Sequence, residues 1–257
     1  MNVLEELDEF FPIVDSMETL EKEYGFDPSD LDKNDWYQIS KLELSEEFMQ
    51  QYEDKIDWEE HFMQWEIDES IIRKYAKHVK IHRAWESISY QKGLSKEFIL
   101  DFADKLDPTI IVEYQEIPLK LVGIWSRDKK NSDLVFKALE YQRITSKLLN
   151  LLIKRNFEID WRKLSREGNV TDTALIEHRN KVHWSVISKE RVLSEKQIES
   201  FNSYLDWELI SQYQKMSIEF IIKMSNYIDI DALKENKVIN QEELYEKEVY
   251  TLLKLAQ

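Results

Sequence analysis

Cysteine is absent from the 257 residues, and glycine and proline occur only four times each. Ordinary usage of about 7% Gly and 5% Pro would supply roughly 31 such residues in a chain of this length, so a fold built on many tight turns is excluded. The glycines, Gly25, Gly93, Gly123 and Gly168, lie far apart. Gly-rich phosphate loops and the GxSxG nucleophile elbow are therefore missing. Without cysteine there is no disulfide framework, thiolate metal site or Cys nucleophile. No run approaches the roughly 18 uninterrupted apolar residues of a membrane span. Met1 to Val14 carries Glu5, Glu6, Asp8 and Glu9 where a secretory signal needs bases. The expectation is a cytoplasmic protein, placed in the host cytoplasm if its source is viral.

What is present is 42% hydrophobic, 12% aromatic and 33% charged, enough apolar matter for a packed core. The net charge of −16 is unevenly placed. Residues 1–70 hold 23 acids and 4 bases, residues 71–170 hold 13 acids and 20 bases, and residues 171–257 hold 15 and 11. That asymmetry is a functional clue, because such fields steer association.

A repeat organises most of the chain. Leu44-Ser45 is followed by Phe48, Met49, Tyr52 and Ile56 at offsets +4, +5, +8 and +12, and then by Asp57-Trp58. Leu94-Ser95, Leu193-Ser194 and Met216-Ser217 begin close copies, Ile67, Ile144 and Val170 looser ones, Ile117 a poor one and Ile239 a truncated one. The nine anchors are 23 to 27 residues apart. Offsets +4, +5, +8 and +12 share one face of a helix, Ser or Thr at +1 is an N-cap, and the Asp before Trp caps a second helix. Helices of at most about ten residues are marginal alone in water, so each must bury its face on neighbouring units. The expected fold is all-α, an α-solenoid of about nine short two-helix repeats over residues 35–257. Residues 1–34 are expected as an N-terminal cap outside the repeat, and a final helix is expected near Gln241 to Leu255.

The pattern resembles the short tandem helical repeats, approximately LSxxFIxxFxDxxDWxxISxYQ, of bacteriophage and large DNA virus proteins. Leu193-Ser194, Asp206-Trp207, Ile210-Ser211 and Tyr213-Gln214 carry the resemblance. It implies a non-enzymatic protein-binding scaffold of viral origin, an accessory or anti-defence factor that docks on and inhibits a host protein. It supplies no catalytic residues.

Several constellations compete with plainer readings. The Trp series could stack single-stranded bases, but its phase with Ile three residues later fits packing between units. His78 and His82, at i and i+4, would share one helix face, yet a metal needs a third ligand. Neither metal nor cofactor is expected. With 51 acids in the chain, no general acid/base pair stands out, and no enzymatic activity is expected. Four Tyr-Gln pairs, Tyr90-Gln91, Tyr114-Gln115, Tyr141-Gln142 and Tyr213-Gln214, close second helices, either to cap the turn or as a polar-aromatic ridge for a partner. A candidate acidic patch gathers Glu53, Asp54, Glu59, Glu60, Glu66, Asp68 and Glu69. Either it is a solvated face or it mimics nucleic acid in the DNA- or RNA-binding groove of a host nuclease or CRISPR-type effector. A candidate basic patch gathers Arg127, Lys129, Lys130, Lys154, Arg155, Arg162 and Lys163. It is thin for direct nucleic-acid binding in so acidic a chain. The expected partner is a host macromolecule, a protein, and not a membrane.

Overall fold

The computed structural model describes residues 12–64, 67–167 and 169–256. Every regular element among them is a helix, and no helix is long and apolar enough to cross a membrane. Each of the nine first helices begins two residues after its anchor: Glu46–Gln51, Glu69–Tyr75, Lys96–Asp101, Leu119–Trp125, Ser146–Lys154, Asp172–Glu177, Glu195–Ser200, Ile218–Lys223 and Gln241–Glu246. The reason is local. Ser45, Ser95, Thr145, Thr171, Ser194 and Ser217 each accept a hydrogen bond from the backbone N–H three residues on, which satisfies a donor that the helix itself leaves open. The residue at +5 is the common anchor of packing. It is Met49, Ile72, Ile99, Val122, Leu149, Leu175, Ile198, Ile221 or Leu244, and is no more than 4% exposed at any of them.

Second helices start at the expected Asp or just beyond it. Asp107, Asp160, Asp206 and Asp229 accept from N–H groups in the first turn of the following helix. Where Asp is lacking the helix starts uncapped by a side chain, as at Ile81 and His183. The copy anchored at Ile67 reaches Trp85 late because a 3-10 turn, Ala76–His78, is inserted between its helices. The expected final helix is two: Gln241–Glu246 and Val249–Ala256, parted at Glu248, which lies at φ 52°.

The segment expected as a cap outside the repeat carries a hairpin of the same kind. Met17–Tyr24 is capped by Ser16 and closed by Gly25 at φ 74°, and Lys33–Ile39 follows with a capping box from Asp32. Val14 stands where Leu44 stands one repeat later. The two form a parallel bridge, as do Ile144 and Val170.

The chain divides into two compact units, Met1–Leu121 and Val122–Gln257, with the boundary inside the helix Leu119–Trp125. In each, second helices pack in sequence. Trp58–Gln64, His82–Tyr90 and Pro108–Tyr114 do so in the first unit, and Trp161–Glu167, Trp184–Glu190, Trp207–Tyr213 and Ile230–Lys234 in the second. A serine four residues after Trp links successive repeats. The Oγ atoms of Ser40, Ser89, Ser165 and Ser188 donate to the Trp carbonyl one turn back. They also accept the backbone N–H of Asp57, Asp107, His183 and Asp206. A buried hydroxyl used in both directions leaves no unsatisfied atom.

Candidate interaction surface

Each Tyr-Gln pair ends a second helix, and the helix geometry sends its two members in opposite directions. The glutamine turns inward. Gln115 Oε1 accepts from Leu94 N–H at 3.2 Å, and its Nε2 donates to the Ser89 carbonyl at 3.3 Å and to that of Gln91. Gln214 repeats this on Leu193 N–H (3.1 Å) and on the carbonyls of Ser188 (2.8 Å) and Arg191 (2.7 Å). Asn236 does the same for Ser211 and Gln214 without a Tyr beside it. One buried amide therefore satisfies three backbone groups that neither helix can reach. Gln142 is only half-buried.

The tyrosine turns outward. Tyr90, Tyr114, Tyr141 and Tyr213 are 50%, 60%, 48% and 39% exposed. Within the first unit Tyr90 and Tyr114 meet edge to face at 5.2 Å, and within the second Lys189 lies over the Tyr213 ring at 5.1 Å. Beside Tyr213 opens a groove of about 800 Å³ lined by Glu235, Val238 and Ile239. Large aromatic side chains at the surface, on backbone held from behind, are what interface anchors require.

The acidic patch is more structural than its composition suggests. Glu53 bonds Lys77 Nζ (2.7 Å) and His78 Nε2 (2.8 Å), which hold its carboxyl below the usual carboxylate range. Glu59 accepts from the backbone N–H groups of Lys80 and Ile81. Glu69 accepts from the N–H and hydroxyl of Ser95 in the next repeat, and Asp68 caps its own helix. Asp54 is exposed and Glu60 half-buried. Glu66 lies outside the described residues. Reversing Glu59 and Glu69 therefore disturbs the joints between repeats, although both lie outside the apolar offsets.

All seven candidate basic residues are exposed: Lys154 ends the first helix of the repeat anchored at Ile144, and the others lie on the inter-helix turns and second helix of the repeats anchored at Ile117 and Ile144. Lys163 lies 3.6 Å from Glu140.

The histidines are placed by packing. His78 and His82 do not share a helix face: His78 sits in the 3-10 turn and His82 opens the next helix, with Val79–Ile81 between them. His61 is 3% exposed and its Nδ1 lies 3.0 Å from the Ser40 carbonyl. Burial lowers its pKa, and that hydrogen bond opposes the shift. Among the described residues no three His, Asp or Glu side chains converge as metal ligands.

The Trp rings are covered from the following repeat. The residues at +8 and +11 of that repeat do it: Tyr75 and His78 on Trp58 (4.0 and 5.7 Å), Phe102 and Lys105 on Trp85 (5.2 and 5.0 Å), His178 and Lys181 on Trp161 (5.6 and 5.4 Å), Phe201 and Tyr204 on Trp184 (5.6 and 5.0 Å). Tyr227, at +11, covers Trp207 at 4.9 Å. The indole N–H groups of Trp58, Trp184 and Trp207 donate to the carbonyl five residues back. The +11 lid was not recognised from the sequence, because Lys, His and Tyr share no chemical label beyond a capacity to lie on a ring.

Comparison with protein-family models, curated proteins and solved structures finds no match.

Proposed function

We propose that the chain is a non-enzymatic protein-binding scaffold whose two runs of stacked hairpins are α-solenoid segments presenting tyrosines to a protein partner. The observation that carries this reading is the division of labour within the Tyr-Gln pairs. Gln91, Gln115 and Gln214 are buried in the joints between repeats, while the adjacent Tyr90, Tyr114 and Tyr213 rings are left in solvent. Nothing in folding asks for a large aromatic at those positions, since Asn236 makes the same joint beside the charged Glu235. The resemblance to phage and viral repeats extends the proposal to an accessory or anti-defence factor that inhibits a host protein. The mimic of nucleic acid is the weaker reading, because four of the seven candidate carboxylates are already engaged in caps, joints or ion pairs.

The test is retention of a bacterial-lysate protein on the immobilised chain, followed by affinity measurement on the purified pair. Replacing Tyr90, Tyr114, Tyr141 and Tyr213 together by Ser is expected to weaken binding by 100-fold or more, on the order of 3 kcal/mol for the loss of several anchors, with unchanged helical content. Affinity preserved in that variant would overturn the tyrosine reading. Affinity that instead collapsed between low and physiological salt, and followed Asp54 and Glu60, would return the weight to the mimic.

A further inference from the structure

The segment at offsets +9 to +13, the end of the first helix and the turn after it, changes character along the second unit. In the repeat anchored at Ile117 it reads Ser126-Arg127-Asp128-Lys129-Lys130, in the next Ile153-Lys154-Arg155-Asn156-Phe157, and in the third Arg179-Asn180-Lys181-Val182-His183. One acid stands against seven bases, and that acid, Asp128, is occupied in accepting from Lys130 N–H. The two repeats that follow carry no base in this turn and place Tyr204 and Tyr227 there instead. In the first unit the same turn is acidic in two repeats, with Glu53, Asp54 and Asp57, then Asp104 and Asp107.

The last four of these turns lie along one edge because each rests on the second helix before it. Phe157 lies on Phe136 (5.1 Å), Lys181 on Trp161 (5.4 Å), Tyr204 on Trp184 (5.0 Å) and Tyr227 on Trp207 (4.9 Å). The cations are available. Arg127, Lys129, Lys130, Lys154 and Arg155 are exposed and have no ion-pair partner among the described residues. Other bases of the unit are engaged, as in Arg166 with Glu190 and Lys223 with Glu199, both at 2.7 Å. The aromatic part is also accessible: Tyr227 is 47% exposed and Phe136 46%, each stacked or tilted on its partner so that an outer face is left to solvent.

We propose that this edge of the second unit binds single-stranded nucleic acid, the basic turns tracking phosphates and the Tyr and Phe rings taking unstacked bases. A groove that pairs cations with regularly spaced aromatic faces is the physical recipe for such strands. A polyacidic peptide without aromatic side chains would satisfy the cations but has nothing flat to lay on the rings. A duplex keeps its bases stacked and out of their reach.

The experiment is fluorescence anisotropy of a labelled oligothymidylate with the full chain, titrated across salt. Binding is expected to strengthen as salt falls, with a log–log slope of roughly −3 to −5 for five to seven phosphates at about −0.7 each. The combined change Lys129→Glu, Lys130→Glu, Lys154→Glu and Arg155→Glu should cost at least tenfold and make the slope shallower by about 3. Tyr227→Ala should weaken binding several-fold without altering the slope, while Tyr227→Phe retains it. The variant with Tyr90, Tyr114, Tyr141 and Tyr213 changed to Ser should leave it unchanged, which separates this edge from the protein-binding tyrosines. The proposal is overturned by no binding at low salt, by indifference to the four reversals with the fold intact, by equal affinity for a duplex, or by polyglutamate competing as well as the oligonucleotide.

Discussion

Residues 1–121 hold 30 acids and 13 bases, and residues 122–257 hold 21 and 22; the two units thus carry −17 and +1 on the same hairpin. Their joints are alike. A serine after Trp takes the next cap's N–H, a terminal amide gathers three backbone groups, and a Glu at +2 reaches the following repeat's cap, as Glu69 does to Ser95 and Glu195 to Ser217. Their turns and outward residues are not alike. Stacking is decided by a small buried set, and everything outside that set is free to take whatever charge a binding surface needs. The first unit uses that freedom for acid, and the second for a basic and then aromatic edge.

The comparison breaks most visibly if the joints differ in strength. Gln115→Leu in the first unit and Gln214→Leu in the second each strand one buried N–H and two carbonyls. At 1–3 kcal/mol per unsatisfied group, and with partial relaxation, each should cost about 3 kcal/mol in urea denaturation. Tyr114→Ala and Tyr213→Ala, one residue away, should stay within about 0.5 kcal/mol. Equal losses for Gln and Tyr in either unit would mean that its tyrosines belong to the fold and not to a surface.

The repeat was legible because six of its nine first helices are capped by Ser or Thr and its +5 residue is always apolar, two signals that local chemistry enforces. The hairpin from Val14 escaped notice because its cap, Ser16, sits one residue further from the anchor and Gly25 to Leu31 lengthens the turn. The Tyr-Gln pair was visible as a motif, but not which member turns inward. That depends on where the helix ends against the preceding repeat, which spacing does not encode. The joints made by Glu59 and Glu69 were not legible, because a carboxylate aimed at a backbone N–H more than twenty residues away looks, in sequence, like any other surface acid.

Acid should separate the units more gently. His61 in the first unit and His178 in the second are both buried, and burial lowers both pKa values. A histidine whose folded pKa lies below its unfolded value of about 6.5 binds its proton less readily when folded. Its stabilising contribution is complete above that pH and is lost as pH falls through 6.5 towards the folded pKa. His61→Gln keeps a donor for the Ser40 carbonyl without the titration. His178→Phe keeps a ring on Trp161 and removes an Nε2 that meets no hydrogen-bond partner among the described residues. Each change should flatten the melting temperature between pH 7 and 5 and alter it little at pH 8. A slope that survives both changes would place the acid sensitivity in other groups.

The smallest expected difference lies in ion pairs between first helices of successive repeats. Lys74 and Glu46 meet at 3.0 Å in the first unit, and Lys223 and Glu199 at 2.7 Å in the second. All four side chains are well exposed, so water competes for each charge and side-chain ordering offsets part of the attraction. Double-mutant cycles should give a coupling of about 0.2–1 kcal/mol for each pair at low salt. Both should fall towards zero in 1 M salt, where screening acts over about 3 Å. The pairs should differ only through their surroundings: Lys74 stands in the strongly acidic field of residues 1–70, so its removal should cost slightly more than that of Lys223, and salt should erase the excess. A coupling above 2 kcal/mol in either unit, or one that resists salt, would show that charge takes part in the stacking code itself and is not merely carried by it.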